Sequence, residues 1–179
     1  VSASDTRAET LTEMAERAVA MARLAPEDPN IGLADPSQLA TGWDIDALDM
    51  IDPAAEPDPA DLEAHALEAE AAALAVNGVS QVQSTSAGYG RRTRHIAATN
   101  GFSGGYTRTD HGLSCVAITG EGLGMERDYY GDMRMHRADM IAPAEIGRIA
   151  AERTVARKGA RKPATGALPV LFDERVSSS

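Results

Sequence analysis

Between residues 79 and 131 polar and apolar side chains alternate: polar His95 flanks Ile96, and Ala117 separates Val116 from Ile118. Side chains two apart share one face of a strand, so this stretch predicts an antiparallel sheet with one buried face. Glycines punctuate it. Asn100-Gly101 suits a tight hairpin, whose central residues need positive φ, while Gly88 with Gly90 and Gly120, Gly122 and Gly124 suit the turns on either side. The pattern predicts a four-stranded meander at 79–87, 92–99, 102–119 and 123–131, with a bend or bulge in the long third strand at Gly104-Gly105 or Gly112.

Three other stretches carry the helical period. Over 4–24, Leu11, Met14, Ala15, Ala18 and Ala22 recur on one side, Glu13, Glu16, Arg17 and Arg23 face water, and Thr6 and Glu9 have capping-box spacing. Over 58–76, Asp58 is placed to cap, Pro59 to occupy the first position and Asp61 to meet the positive end of the helix dipole. Leu62, Ala66, Ala69, Ala73 and Val76 line one face of that helix, and Leu67, Ala71 and Leu74 a second, so it is expected to lie against two surfaces. Asn77-Gly78 ends it, with Gly suited to a left-handed cap. The third helix runs from Pro143 to about Lys158, buries Ile146, Ile149 and Ala150, and ends at Gly159.

Prolines 26, 29, 36, 53 and 57 break every candidate element in 25–57, and Trp43 stands in that irregular stretch as a residue to pack the loop down or to contact a ligand. Residues 160–167 form a basic link, and Leu168–Phe172 has the composition of a short buried strand, which near Ser177-Ser178-Ser179 suggests that the natural polypeptide continues. The expected fold class is α+β: a mainly antiparallel sheet (meander 79–131) with three helices packed mainly on one face, read as a single α/β-type domain over 1–179.

Composition narrows the function classes. Of 179 residues 43% are apolar but only 4% aromatic, which implies a tightly packed, alanine-rich interior. A net charge of −10 repels phosphate backbones and argues against direct nucleic-acid binding. One cysteine excludes an internal disulfide and any multi-cysteine zinc site. No apolar run reaches the ~18–20 residues of a membrane span, and the sequence contains no visible signal peptide, so a cytoplasmic protein with no membrane contact is expected; the opening on Val1 rather than Met is that of a processed, trimmed or fragmentary chain.

Candidate chemistry is sparse. His65, His95, His111 and His136 form no H-x-x-x-H pair. On a strand His111 and Cys115 share a face about 13 Å apart, too far for one metal, so an exposed histidine and a buried cysteine are expected. His65, among Glu63, Glu68 and Glu70, reads as part of a solvated face. The glycine series sits between strands, where turns and bulges account for it, and not between a strand and a helix as a phosphate cradle requires. Along Glu126–Tyr130, alternation sets Arg127 and Tyr129 opposite Asp128 and Tyr130, as a cross-strand charge ladder or as an interaction edge. Trp43, Arg127 and Tyr129 are the candidate interaction residues; no position is assigned to catalysis, a cofactor or a metal.

NGFSGGY, GEGLGMERDYYGD, the IGRIAAERTVARKGARK helix and the closing LPVLFDERV resemble the TldD/PmbA family, in particular its PmbA (TldE) branch, whose members are also labelled candidate modulators of DNA gyrase. VSASD with LTEMAERAVAMARLAPEDP, and LEAHALEAEAAALAV, are similar to the same family, so the likeness covers essentially the whole chain. It implies part of the N-terminal region of a longer protein, without that protein's C-terminal β-rich domain. It also implies a role in cytoplasmic proteolysis, in a heteromeric TldD–PmbA zinc metallopeptidase that processes peptide toxins and degrades an unfolded antitoxin. In the TldD branch a zinc-binding H-E-x-x-x-H helix follows the segment corresponding to 168–172; no such motif occurs here. The resemblance therefore implies a non-catalytic partner subunit or fragment, with zinc in the catalytic partner and none in this chain. Its partners would be a TldD-like subunit or a second copy in a homodimer, with a peptide as substrate, and the link to gyrase would run through gyrase poisons. The alternative is an interaction or regulatory module with no proteolytic role.

Overall fold

The computed structural model describes residues 1–177, which fall into two compact units: Val1–Gly42 with Ala97–Ser103, and Trp43–Ile96 with the described residues from Gly104 onward. In the first unit helix α1 spans Ala8–Leu24. Asp5, and not Thr6, organises its start: the Asp5 carboxylate accepts the Arg7 N–H at 2.9 Å, the Arg7 Nε–H at 2.6 Å and the Thr10 hydroxyl at 2.9 Å. A carboxylate is the stronger acceptor, so the expected capping box does not form and Arg7 stands at the N-cap without a side-chain cap. No residue of α1 is buried. The hairpin tip at 97–103 closes as the Asn-Gly pair predicts: Ala98 N–H donates to Phe102 O at 2.9 Å, and Gly101 takes φ +94°.

In the second unit helix α2 spans Pro59–Leu74, with the Asp58 carboxylate accepting the Ala60 N–H at 2.8 Å. Gly78 follows it at φ +103°. Strands β1 (Val79–Ala97), β2 (Ser103–Thr119) and β3 (Glu126–Arg134) form one antiparallel sheet in the order β1-β2-β3. The β2–β3 register runs from His111 opposite Arg134 to Thr119 opposite Glu126. Helix α3 spans Pro143–Ala156 and packs on α2 and on β3.

The α+β class holds, and the strand count is three where the sequence predicts four. The expected strands at 79–87 and 92–99 are one continuous β1, with Gly88 and Gly90 inside it. Neither glycine takes positive φ, so neither makes a turn. β2 runs without interruption through Gly104-Gly105 and Gly112, its pairing with β3 is one-to-one through Gly112, and Gly105 serves close approach, since a Cβ there would overlap the Arg94 carbonyl of β1.

The buried face of β2 is the odd one: Thr109, His111, Leu113, Cys115, Ala117 and Thr119. Val116 and Ile118, expected to mark the buried face, lie half-buried on the other. Small residues fill the core because the backbones approach closely; Ala69 and Ala73 of α2 meet Leu113, Cys115, Ala117, Ile146, Ala150 and Ala151 in one cluster. Gly147 of α3 sits against the Ala69 carbonyl, where any Cβ would overlap it. Thr154 secures α3 to the sheet: its hydroxyl accepts the Asp128 N–H at 3.1 Å and donates to Ala150 O at 2.8 Å. The second apolar face of α2 is uncovered in this unit, Leu67 being 57% and Leu74 48% exposed.

Leu168–Phe172 is not the buried strand its composition suggests; it has no ladder, and Leu171 is fully exposed. Pro169 lacks an N–H, and among the described residues no strand runs beside it.

Candidate functional site

A polar anchor forms where the 43–57 loop meets β2. Thr109 stands in phase with the buried residues of β2; its N–H donates to Met50 O at 2.9 Å, and its hydroxyl accepts the Asp52 N–H at 2.8 Å and donates to Met135 O at 2.7 Å. The Asp52 carboxylate accepts the Ala54 N–H at 2.8 Å and the Arg137 N–H at 2.7 Å. Those backbone donors hold its pKa below the usual carboxylate range despite burial, with smaller help from His111 and His136. His111 Nε2 lies 3.0 Å from Asp52 Oδ2 but off the hydrogen-bond line, so the two make a contact of charges when the imidazole is protonated. The Tyr89 ring lies 5.0 Å from the imidazole.

His111 is thus buried, at 5% exposure, and not exposed as expected, because the Asp52 carboxylate and Tyr89 ring close over it. The signal was present: His111 is in period-two phase with Leu113 and Cys115. His65 is half-buried, not fully solvated, and shares a hollow of about 180 Å³ with Leu62, His111, Leu113, Met140 and Ile141. This anchor ties the 49–54 and 135–137 segments to the sheet through Thr109 and Asp52, while His111 Nε2 has no hydrogen-bond partner among the described residues.

The opposite face of the sheet is open within this unit. A shallow hollow of about 470 Å³ crosses it, floored by Gly88, Gly90, Gly112 and Gly131 and edged by Arg92 and Asp110. Arg127 and Tyr129 lie on this side, as alternation predicts, and both are exposed. Arg127 donates to Gln83 Oε1 at 3.2 Å, and the Arg175 guanidinium stands 5.3 Å from the Tyr129 ring centre. On the other side Tyr130 faces Cys115 across the ladder and receives Arg153 at 4.6 Å. Asp128 pairs with Arg175 at 2.9 Å and Arg157 at 3.6 Å. Burial raises the Asp128 pKa, but the Tyr129 N–H and the Arg175 guanidinium outweigh it and hold the carboxyl low. Trp43 belongs to the 43–57 loop, 41% exposed, and is not part of that strand face.

Zinc, which the resemblance implies for the family, does not fit the described residues. Among them no group of three or more His, Cys, Asp or Glu is placed to hold a metal ion. Asp52 already serves two backbone donors, and burial pushes the Cys115 thiol pKa up, against the thiolate a metal needs. Among the described residues no helix is long and apolar enough to cross a membrane.

Comparison with known proteins gives a consistent picture. Residues 52–158 match the model of the PmbA/TldA metallopeptidase central domain. The chain is 31% identical to Metalloprotease PmbA of Escherichia coli O157:H7, over 99% of its own length and 39% of that protein's. It is 28% identical to the Metalloprotease PmbA homolog of Haemophilus influenzae, over 99% and 39% respectively. Among solved structures it resembles a candidate modulator of DNA gyrase from Bacteroides thetaiotaomicron, with TM-score 0.72, 26% identity, and coverage of 91% of this chain and 37% of that one. TldE from Thermococcus kodakarensis shares the fold at TM-score 0.52 and 17% identity, over 86% of this chain and 33% of that one. The chain spans about two-fifths of the length of the curated relatives it matches. With the family model matching more than half of its residues, this chain belongs to the PmbA/TldD metallopeptidase family.

Proposed function

We propose that this chain is part of a non-catalytic partner subunit in a TldD/PmbA-type zinc metallopeptidase that cleaves unfolded peptides. The observation that carries the reading is the whole-chain similarity to a PmbA metalloprotease, joined to a buried polar network committed to holding the fold. In this role the chain supplies walls and docking surface, and a TldD-type subunit supplies zinc and the general base. A cytoplasmic location and a link to gyrase poisons belong to the same proposal.

The test is reconstitution from the full-length protein, a TldD-type partner and an unstructured peptide. Cleavage is expected only in the mixture, lost on chelation and lost again when the partner's zinc-site glutamate is changed to glutamine. Metal-dependent cleavage by the full-length protein alone, at the rate of the mixture, overturns the proposal.

A further inference from the structure

β1 is the outer strand of the sheet, and every residue from Arg91 to Ala97 is exposed. Its outer backbone N–H and C=O groups have no strand beside them among the described residues, which makes the edge a template for another extended chain. The side chains on that edge are unusual for this protein. Three of the four residues 91–94 are arginines, in a chain of net charge −10. Alternation puts Arg92 and Arg94 on the open face with Arg108 and Asp110 of β2. Arg108 Nε closes on Asp110 at 2.9 Å. The Asp110 carboxyl is also held low by Arg92 and Arg94, but among the described residues neither makes an ion pair of its own. One carboxylate is therefore shared by three guanidinium groups.

We propose that the outer edge of β1 over 90–96 captures an extended acidic segment of a partner polypeptide as an added strand, with carboxylates two residues apart seated on Arg92 and Arg94. The spacing matches: residues two apart on a strand lie about 6.6 Å from each other on one face, and an extended peptide has the same repeat. Main-chain hydrogen bonds supply sequence-tolerant attachment, and the arginines select for acid. The same charges oppose pairing of β1 with a second β1, since that would set arginine against arginine. This docking edge goes beyond the subunit role proposed above and does not depend on it.

The test is fluorescence anisotropy of the full-length protein with two labelled peptides, one of alternating Ser and Glu and the other with Gln in place of Glu. The Glu peptide is expected to bind, and the Gln peptide to bind at least about tenfold more weakly, equivalent to about 1.4 kcal/mol. Arg92→Ser with Arg94→Ser should weaken the Glu peptide by a similar factor, as should raising salt until the Debye length falls to about 3 Å. Both side chains are exposed, so the variant should keep its circular dichroism spectrum, and Arg92→Lys with Arg94→Lys should recover most of the binding. N-methylation of alternate peptide amides should abolish it, because an added strand needs those donors. Equal binding of the Glu and Gln peptides, or a serine variant that binds as the wild type does, overturns the proposal. So does a single-stranded oligonucleotide that binds while the Glu peptide does not. A serine variant that self-associates while the wild type binds no peptide also overturns it, leaving the arginines as guards of the edge.

Discussion

Helices α1 and α3 make an instructive pair. α1 has the regular apolar stripe of an amphipathic helix, yet none of its residues is buried, and Leu11 and Val19 are each 50% exposed. α3 has a stripe interrupted by Gly147 and Thr154, yet it buries Ile146, Gly147, Ala150, Ala151 and Thr154. Periodicity says which face of a helix can be buried; closeness of approach says whether a neighbour can reach it. In α3 the interruptions are what make the contact, since Gly147 admits the Ala69 backbone and Thr154 bonds to β3. α1 rests on weaker local terms, such as the exposed Arg17–Glu13 pair at 3.3 Å, of a kind worth about 0.3–0.5 kcal/mol.

The sharpest way to break this comparison is Gly147→Ala. The added methyl overlaps the Ala69 carbonyl, and overpacking of this kind costs about 2–3 kcal/mol, read as a shift of the urea midpoint. A midpoint unchanged from wild type would show that α3 does not depend on that approach. Thr154→Val should cost about 2 kcal/mol, because the Asp128 N–H loses its buried acceptor while the side-chain volume is kept. Gly101→Val, outside both helices, should cost about 1.5 kcal/mol through the positive φ alone, since a Cβ there meets nothing within 4 Å.

Acid should act on the second unit through Asp52. Its folded-state pKa is depressed, so its contribution to stability is present above the unfolded value of 3.8 and is lost as pH falls through the folded one. The thermal midpoint should therefore fall on acidification below about pH 4, and Asp52→Asn should flatten that part of the profile. An acid limb identical in the variant would remove Asp52 from the account. The smallest effect belongs to α1: Leu11→Ser should change stability by less than about 0.5 kcal/mol. A loss above about 2 kcal/mol would mean that the stripe of α1 is buried in solution.

What could be read from sequence was what chain-local chemistry decides. The Asp58 cap, Pro59 at the first helical position, and the Asn100-Gly101 hairpin all stand where their own side chains or φ values require. The pairing of Arg127 with Tyr129 on one face followed from alternation alone. Apart from the Thr6 cap, displaced by its neighbour Asp5, the failures needed a distant partner. Gly88 and Gly90 looked like a turn because glycine signals freedom without saying whether it is used. Leu168–Phe172 looked like a strand, but no ladder forms without a neighbouring edge. The burial of His111 was written in the phase of β2, whereas its partner Asp52 lies in a proline-broken loop that no periodicity describes. Arg92 and Arg94 could not be recognised as edge residues while a turn was expected at 88–90 and the strand count stood at four.

The central claim, that this chain supplies structure while a partner supplies the metal, is tested most directly by native mass spectrometry of the full-length protein mixed with a zinc-loaded TldD-type subunit. The account predicts a heteromeric complex in which, after dissociation in the gas phase, zinc stays with the TldD-type subunit. Stoichiometric zinc on the full-length form of this protein, with no heteromer formed, would contradict it.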